Sequence, residues 1–111
     1  MTKNVMGSDP MSLMQQIEAH EAPLVIDVRS RREFDSGHVP GARNIPFWKM
    51  PAAANELADF KDRPLVLYCG HGPRAYIAGA ALRRRGFRGV AYMTGHMKQW
   101  RDLNLPLEVT E

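Results

Sequence analysis

Apolar and polar positions along this chain follow two periods, one typical of helices and one typical of buried strands. Asp9 can cap a helix whose first position is Pro10, and Leu13 and Ile17 recur one turn apart. The run PLVIDV follows at residues 23–28; its apolar and β-branched side chains predict a buried strand. The chain is therefore predicted to begin with a helix over about residues 10–20 and then a strand.

The same two patterns alternate along the rest of the chain. Ser30 and Glu33 have the spacing of a capping box, which predicts a short helix that ends before Gly37. Further extended segments are predicted at residues 42–45, 65–69 and 89–93, and further helices at 51–60, 75–86 and 96–103. Strands that alternate with helices predict the α/β class, with a parallel sheet covered by helices on both faces.

Helical spacing also predicts which side chains of the later helices face the core. These inward side chains are Leu57, Phe60, Ile77, Ala78, Ala81, Leu82, Met97, Trp100 and Leu103. Gly86 follows the last apolar position of its helix, and Phe87 is placed to pack back against it. This arrangement predicts a Schellman-type ending.

Composition and charge narrow the class of protein. At 111 residues, of which 44% are hydrophobic and 24% charged, the chain is predicted to form a single domain over residues 1–111. Its net charge of +3 is too small to argue for nucleic acid. Neither a secretory signal nor a membrane span of roughly 20 apolar residues is visible, and one cysteine excludes an internal disulfide. We therefore expect a cytoplasmic protein, without a membrane or nucleic-acid partner and without a metal site.

The single cysteine, Cys69, stands at the end of the predicted strand at residues 65–69, where a glycine-containing loop begins. Ligands of parallel sheets bind at this end of the strands. A loop over Gly70–Ala75 can point its backbone N–H groups into one centre, and Pro73 leaves five donors there. Such a cradle and a helix amino terminus lower the pKa of a thiol below its usual value of about 8.5, so we expect Cys69 to be partly ionised.

Three segments of this chain have the motifs of one known family. They are the loop CGHGPR, Cys69 to Arg74, then VIDVRSRREFDSGHVPGARNIP, from Val25 to Pro46, and TGHMKQWRDLNLP, from Thr94 to Pro106. The loop is similar to the active-site pattern Cys-x-x-Gly-x-Arg of the rhodanese-like sulfurtransferases, and the other two segments resemble the amino-terminal and carboxyl-terminal signatures of that family. The resemblance implies an α/β fold with a five-stranded parallel sheet.

The sequence departs from the family pattern at three positions. His96 stands at the second glycine of a Gly-Gly pair, and Ala75 stands where a hydroxyl residue often follows the arginine. Asn104 replaces a frequent glycine; asparagine also adopts left-handed conformations. Neither His96 nor Ala75 is expected to touch the nucleophile itself, so the departures bear on donor preference more than on the chemistry.

The resemblance also implies a chemistry for the loop. The Cys69 thiolate takes the outer sulfur of a donor such as thiosulfate as a persulfide, and a thiol or cyanide then removes it. Thioredoxin or another sulfur-carrier protein is a candidate acceptor, and no cofactor is required. The residues predicted to form the persulfide cradle are Gly70, His71, Gly72, Pro73, Arg74 and Ala75. Arg74 either orders the loop or binds the anionic donor, and His71 either assists the donor or is a solvated loop residue.

Three other interpretations compete with sulfur transfer. A cysteine at a strand end is often a small buried core residue. A Cys-dependent phosphatase or arsenate reductase also cradles an anion, but phosphatases of that kind have five residues between cysteine and arginine, and here there are four. A rhodanese-like interaction or sulfur-relay module without turnover would be expected to lack the cysteine.

Other charged residues have structural explanations. Asp27, Arg29 and Arg43 are predicted to form ion pairs near the strand ends. His38 is explained by the turn at Pro40-Gly41, which it precedes. The run Arg83-Arg84-Arg85 complements the negative end of a helix dipole, while an acidic partner is the functional alternative.

Overall fold

A computed structural model of the chain describes residues 9–110, so the predictions for residues 1–8 lie outside the described part. The helices and strands within it, in chain order, are α1 (Pro10–Glu18), β1 (Leu24–Asp27), α2 (Arg31–Ser36), β2 (Arg43–Asn44), α3 (Met50–Ala53), β3 (Leu65–Tyr68), α4 (Pro73–Arg84), β4 (Val90–Tyr92) and α5 (His96–Asp102). None of these helices is long and apolar enough to cross a membrane.

The strands form one parallel sheet in the order β2-β1-β3-β4. The predicted α/β class with a parallel sheet is thus confirmed, and the resemblance was wrong in strand number, since residues 9–110 contain four strands rather than five. The stretch after α5 does not add a strand, because it joins the rest of the described chain through a single β-bridge. The one additional bridge joins His38 to Glu108, and it is antiparallel and isolated.

The sheet carries a separate apolar layer on each face, because side chains of a strand alternate between faces. On one face Leu65, Leu67 and Cys69 pack with residues of α3 and α4. On the other, Val66 and Tyr68 pack with α1 and α5. Cys69 therefore continues the row of β3 side chains that faces α4.

Two helices differ from the sequence prediction in extent. The segment predicted as one helix over residues 51–60 consists of the short helix α3, turns and a 3₁₀ turn at Ala58–Phe60. Its alanines favour a helix, but of the two apolar side chains expected inward, only Leu57 is fully buried. Helix α4 begins at Pro73 instead of Ala75, because proline is suited to the first helical position.

The inward faces of α4 and α5 also needed correction. Ile77 is 55% exposed, because the buried face of α4 consists of Ala75, Ala78, Gly79 and Leu82, the i, i+3, i+4, i+7 stripe. Leu103 is 40% exposed since it follows the last turn of α5. Met97 and Trp100 are buried as predicted.

The carboxyl-terminal end of α4 has the predicted Schellman geometry. Gly86 adopts a φ of 91°, and its N–H donates to the carbonyl of Arg83. The N–H of Phe87 donates to the carbonyl of Leu82, and Phe87 is buried. These two bonds are the 5→2 and 6→1 bonds of the motif.

Candidate active site

Cys69 is the first residue after β3, and its side chain is fully buried among core residues that include Val28 and Ala75. A core cysteine would look the same in this respect. Its sulfur, however, accepts a hydrogen bond from the backbone N–H of Gly72 at 2.9 Å. This bond distinguishes Cys69 from a cysteine that contacts only apolar side chains.

The loop turns tightly around the sulfur because of Gly72, whose φ is 130°. A Cβ at this position would lie 3.1 Å from the Tyr76 ring and 3.3 Å from Nε2 of His96, so a side chain would crowd both. Within residues 9–110 the backbone N–H groups of Gly70, His71, Arg74 and Ala75 donate to no protein acceptor. They remain available to an anion; their role as a cradle stays a prediction.

Arg74 bonds the carboxylate of Glu33 on α2, with Nη1 2.7 Å from one oxygen and Nη2 3.2 Å from the other. The bond to Glu33 raises the pKa of Arg74, and the negative charge of Cys69 adds to this rise. The same bond lowers the pKa of Glu33 to about 2. The arginine therefore ties the loop to α2 and places a permanent cation beside the thiol.

Glu33 also forms the predicted capping box. Its Oε1 accepts from the backbone N–H and the hydroxyl of Ser30, each at 3.0 Å, and its own N–H donates back to the Ser30 hydroxyl. The sequence indicated this local role correctly and missed the bond to Arg74, because 41 residues separate the two partners.

His96 is the second residue that sequence reasoning missed, and the expectation that it does not touch the nucleophile is wrong. It is buried, and its Nδ1 accepts a hydrogen bond from the backbone N–H of Cys69 at 3.2 Å. Burial lowers the pKa of His96, and the nearby His71 lowers it further. The signal in the sequence was its position, since His96 stands where the family pattern has a glycine.

A cleft of about 320 Å³ opens beside the loop. Its lining residues are Arg29, Glu33, Gly70, His71, Arg74, Met97, Lys98, Arg101 and Asp102. Four of these side chains are permanent cations and two are carboxylates, so the cleft favours an anion. Larger depressions lie near α3 and near the amino-terminal ends of β3 and β4, but the loop borders neither of them.

Of the three residues predicted to form ion pairs near the strand ends, Asp27 and Arg29 confirm the prediction, and for Arg43 the prediction is wrong. Asp27 and Arg29 form a buried ion pair at 2.7 Å, and Arg29 also donates to the carbonyl of Gly37. Arg43, by contrast, joins no ion pair in the described range; it is exposed, and its guanidinium lies over the ring of Phe60.

The remaining predictions concern His38, which is buried, and the arginine run at the carboxyl-terminal end of α4. The ring of His38 stacks on Phe34 at 3.6 Å. Of the arginine run, Arg83 bonds the hydroxyl of Tyr92 and Arg85 bonds the carbonyl of Ala81. Across residues 9–110, no group of three metal-ligating side chains comes together.

Comparisons with known proteins add to this geometry. The family described as Rhodanese-like domain matches residues 9–103. A sulfurtransferase from Allochromatium vinosum is 33% identical, over 93% of this chain and 94% of its own length. YqhL from Bacillus subtilis is 38% identical, over 68% of this chain and 59% of its own length. The crystal structure of the Alr3790 protein from Anabaena sp. has a TM-score of 0.79 and 26% identity, covering 92% of this chain and 81% of that chain.

Proposed function

Because this chain belongs to the rhodanese-like domain family, we propose that it is a sulfurtransferase that carries a sulfane sulfur on Cys69, with thiosulfate as donor and cyanide or a thiol as acceptor. The observation that carries the proposal is the 2.9 Å hydrogen bond from the Gly72 N–H to the Cys69 sulfur. A donor aimed at this sulfur stabilises the Cys69 thiolate, both when it takes up the sulfane sulfur and when it is released again.

The proposed reaction has two displacement steps. The Cys69 thiolate attacks the outer sulfur of thiosulfate, a new S–S bond forms, and the S–S bond of thiosulfate breaks as sulfite leaves with the electron pair. In the second step the acceptor attacks the outer sulfur of the persulfide, and the Cys69 thiolate leaves. With cyanide as acceptor, the product is thiocyanate.

The residues around Cys69 supply what these steps need. The N–H groups of Gly70, His71 and Ala75 point from a loop that leads into the amino terminus of α4, which favours an anionic persulfide. Arg74 adds a fixed cation, and its bond to Glu33 supports the role of ordering the loop. Arg101, on the cleft wall, attracts the anionic donor, whereas Lys98 on the same wall is paired with Asp102 at 2.8 Å.

A protein thiol, such as thioredoxin or another sulfur-carrier protein, is the acceptor that we propose under physiological conditions. The side chains of Tyr76 and Ile77, just beyond the loop, are 54% and 55% exposed. Exposed aromatic and aliphatic side chains beside a reactive group are suited to contact a protein partner.

Intact mass spectrometry tests the proposal directly. The protein is incubated briefly with thiosulfate, freed of excess donor and weighed beside a Cys69→Ser control. We expect a gain of one sulfur atom that is absent in the control and is discharged by cyanide or a dithiol. No gain with thiosulfate or with other sulfane donors would contradict the proposal. Phosphate release from an aryl phosphate would then favour the phosphatase alternative.

A further inference from the structure

We propose that His96 is a positioning residue for the reaction, because its imidazole supplies the hydrogen-bond acceptor that fixes the peptide N–H of Cys69. The inference rests on the proposed function, since it assumes that Cys69 is the nucleophile. It concerns a side chain that this sequence carries in place of the family's glycine.

The pairing of β3 with β4 shows what His96 replaces. The N–H of Met93 donates to the carbonyl of Leu67 at 3.0 Å. In a parallel ladder the next bond would run from the N–H of Cys69 to the carbonyl of Met93. That carbonyl instead accepts from the backbone N–H of His96 at 3.0 Å, and the N–H of Cys69 makes no bond to it.

The Cys69 N–H therefore needs another acceptor, since a buried backbone donor without a partner destabilises the fold. The Nδ1 atom of His96 takes this place at 3.2 Å. The side chain thus extends the hydrogen bonding of the sheet by one residue, to the residue that carries the thiol.

The backbone of His96 is strained to make this bond. Its φ is 55°, a left-handed conformation that is unfavourable for a residue other than glycine. The side chain is nevertheless 3% exposed, with Nε2 facing Gly72 and the ring edge-to-face with Tyr76. A glycine would avoid the strain but could not supply the acceptor.

The acceptor role also determines the protonation state and the tautomer of the His96 imidazole. Nδ1 can accept only when it carries no proton, so the ring is neutral with its proton on Nε2. The burial that lowers the pKa of His96 favours the same neutral form.

The first turn of α5 also holds the carbonyl group of Cys69, which belongs to the next peptide group. The N–H of Met97 donates to the carbonyl of Cys69 at 3.0 Å, and that of Lys98 to the carbonyl of Gly70 at 3.3 Å. With the His96 bond, both polar groups of Cys69 are held by α5. This leaves the sulfur in the position where Gly72 reaches it.

Two substitutions of His96 separate the acceptor from the rest of the ring. His96→Asn keeps an acceptor atom on Cγ, tolerates the left-handed backbone and loses Nε2. His96→Leu also loses Nε2, but it has no acceptor. We measure the rate of sulfur loading from thiosulfate and, independently of any sulfur donor, the rate at which iodoacetamide alkylates Cys69 in the same proteins.

We expect both rates in His96→Asn to stay within about threefold of the unchanged protein, and both rates in His96→Leu to fall by roughly tenfold. His20→Leu is the matched control, because His20 has a similar φ of 60° and is exposed. The His20→Leu variant places a leucine in a left-handed backbone conformation away from the loop. Both of its rates should be unchanged.

If His96→Leu does not fold, His96→Gly replaces it, since glycine lacks the acceptor and relieves the strain. Equal rates in the asparagine variant and the variant without an acceptor would overturn the inference, whether both are normal or both are slow. Should the unchanged protein fail to take up sulfur, the alkylation rates still decide the role of His96. In that case only the proposed function fails.

Discussion

Glu33 shows how one carboxylate joins two parts of the site. Its Oε1 accepts from the N–H and hydroxyl of Ser30 and from Nη1 of Arg74, so the start of α2 and the start of α4 share one acceptor. Because Arg74 stands in the first turn of α4, directly after the loop that follows Cys69, the placement of α2 determines where this cation lies.

This ion pair predicts a pH dependence of stability. The pKa of Glu33 is lowered from its ordinary 4.5 to about 2, so its contribution is complete above pH 4.5 and is lost as the pH falls toward 2. Both side chains are about a third exposed or more, and we therefore expect the pair to contribute only about 1 kcal/mol. Glu33→Gln should lower the free energy of unfolding by this amount at pH 7, with the difference shrinking toward pH 2, as measured by urea denaturation.

Asp35→Asn is the control for this measurement. It removes the exposed pair between Arg31 and Asp35 on the same helix and should cost about 0.5 kcal/mol or less. A Glu33→Gln difference that stays constant from pH 7 to pH 2 would show that the carboxylate charge is not what stabilises the fold.

Single residues were predictable from sequence where their role is local. The capping box of Ser30 and Glu33 spans three residues, and its spacing alone indicated it. The bonds of Glu33 to Arg74 and of Cys69 to His96 span 41 and 27 residues. Such pairs depend on the strand order, which no local pattern contains.

The two ends of helix α4 are determined by different residues. Pro73 begins it directly after the loop, and Gly86 ends it in a left-handed conformation. The ending matters for packing, because it turns Phe87 back into the core beside Leu82.

Substitutions at Gly86 test this ending. Alanine cannot adopt a φ of 91° without strain, so Gly86→Ala should lower the free energy of unfolding by about 1 kcal/mol. Gly86→Asn is the matched variant, since asparagine tolerates left-handed backbone, and it should cost clearly less. The free energies come from urea denaturation of the three proteins. An alanine variant as stable as the unchanged protein would contradict the proposed importance of the helix end.

At the scale of elements, sequence patterns succeeded where burial and propensity agree. The run at residues 65–69 is apolar throughout, and β3 occupies it as Leu65–Tyr68. Over residues 51–60 burial and propensity disagree. The alanines favour a helix, but too few large apolar side chains are present to pack it. Exposed Ile77 shows the same limit, since helical spacing alone could not distinguish its face from that of Gly79.

The molecule as a whole is closed by its carboxyl-terminal segment, which returns from α5 to α2. The indole N–H of Trp100 donates to the carbonyl of Pro106 at 2.8 Å. His38 and Glu108 exchange both backbone hydrogen bonds, and the N–H of Thr110 donates to the carbonyl of Asp35. The segment therefore links the helix that grips Cys69 to the helix that carries Glu33.

This closure was invisible in the sequence. The sequence "LEVTE" after Pro106 is too short to predict a strand, and its partners lie about 70 residues earlier. The family resemblance supplied the α/β layering, but the attachment of this segment depends on the tertiary position of α2.

Removal of residues 108–111 tests whether the closure stabilises the fold. The truncation deletes three backbone hydrogen bonds, each worth about 0.5–1.5 kcal/mol, and it also spares the entropy of ordering an exposed segment. We expect a net loss of about 1–2 kcal/mol, which corresponds to a lower melting temperature by roughly 4–16 °C in thermal denaturation followed by circular dichroism.

Glu108→Gln is the control for the truncation, because it keeps every backbone bond of the segment and changes only the carboxylate. Its side chain accepts from the N–H of Gly41 and lies 3.6 Å from the ring of His38, and it is 55% exposed, so the change should cost about 0.5 kcal/mol or less. A truncated protein that melts at the same temperature as the unchanged one would show that the segment only lies on the surface. A lower melting temperature with normal sulfur loading would instead show that α2 keeps Arg74 in place without it.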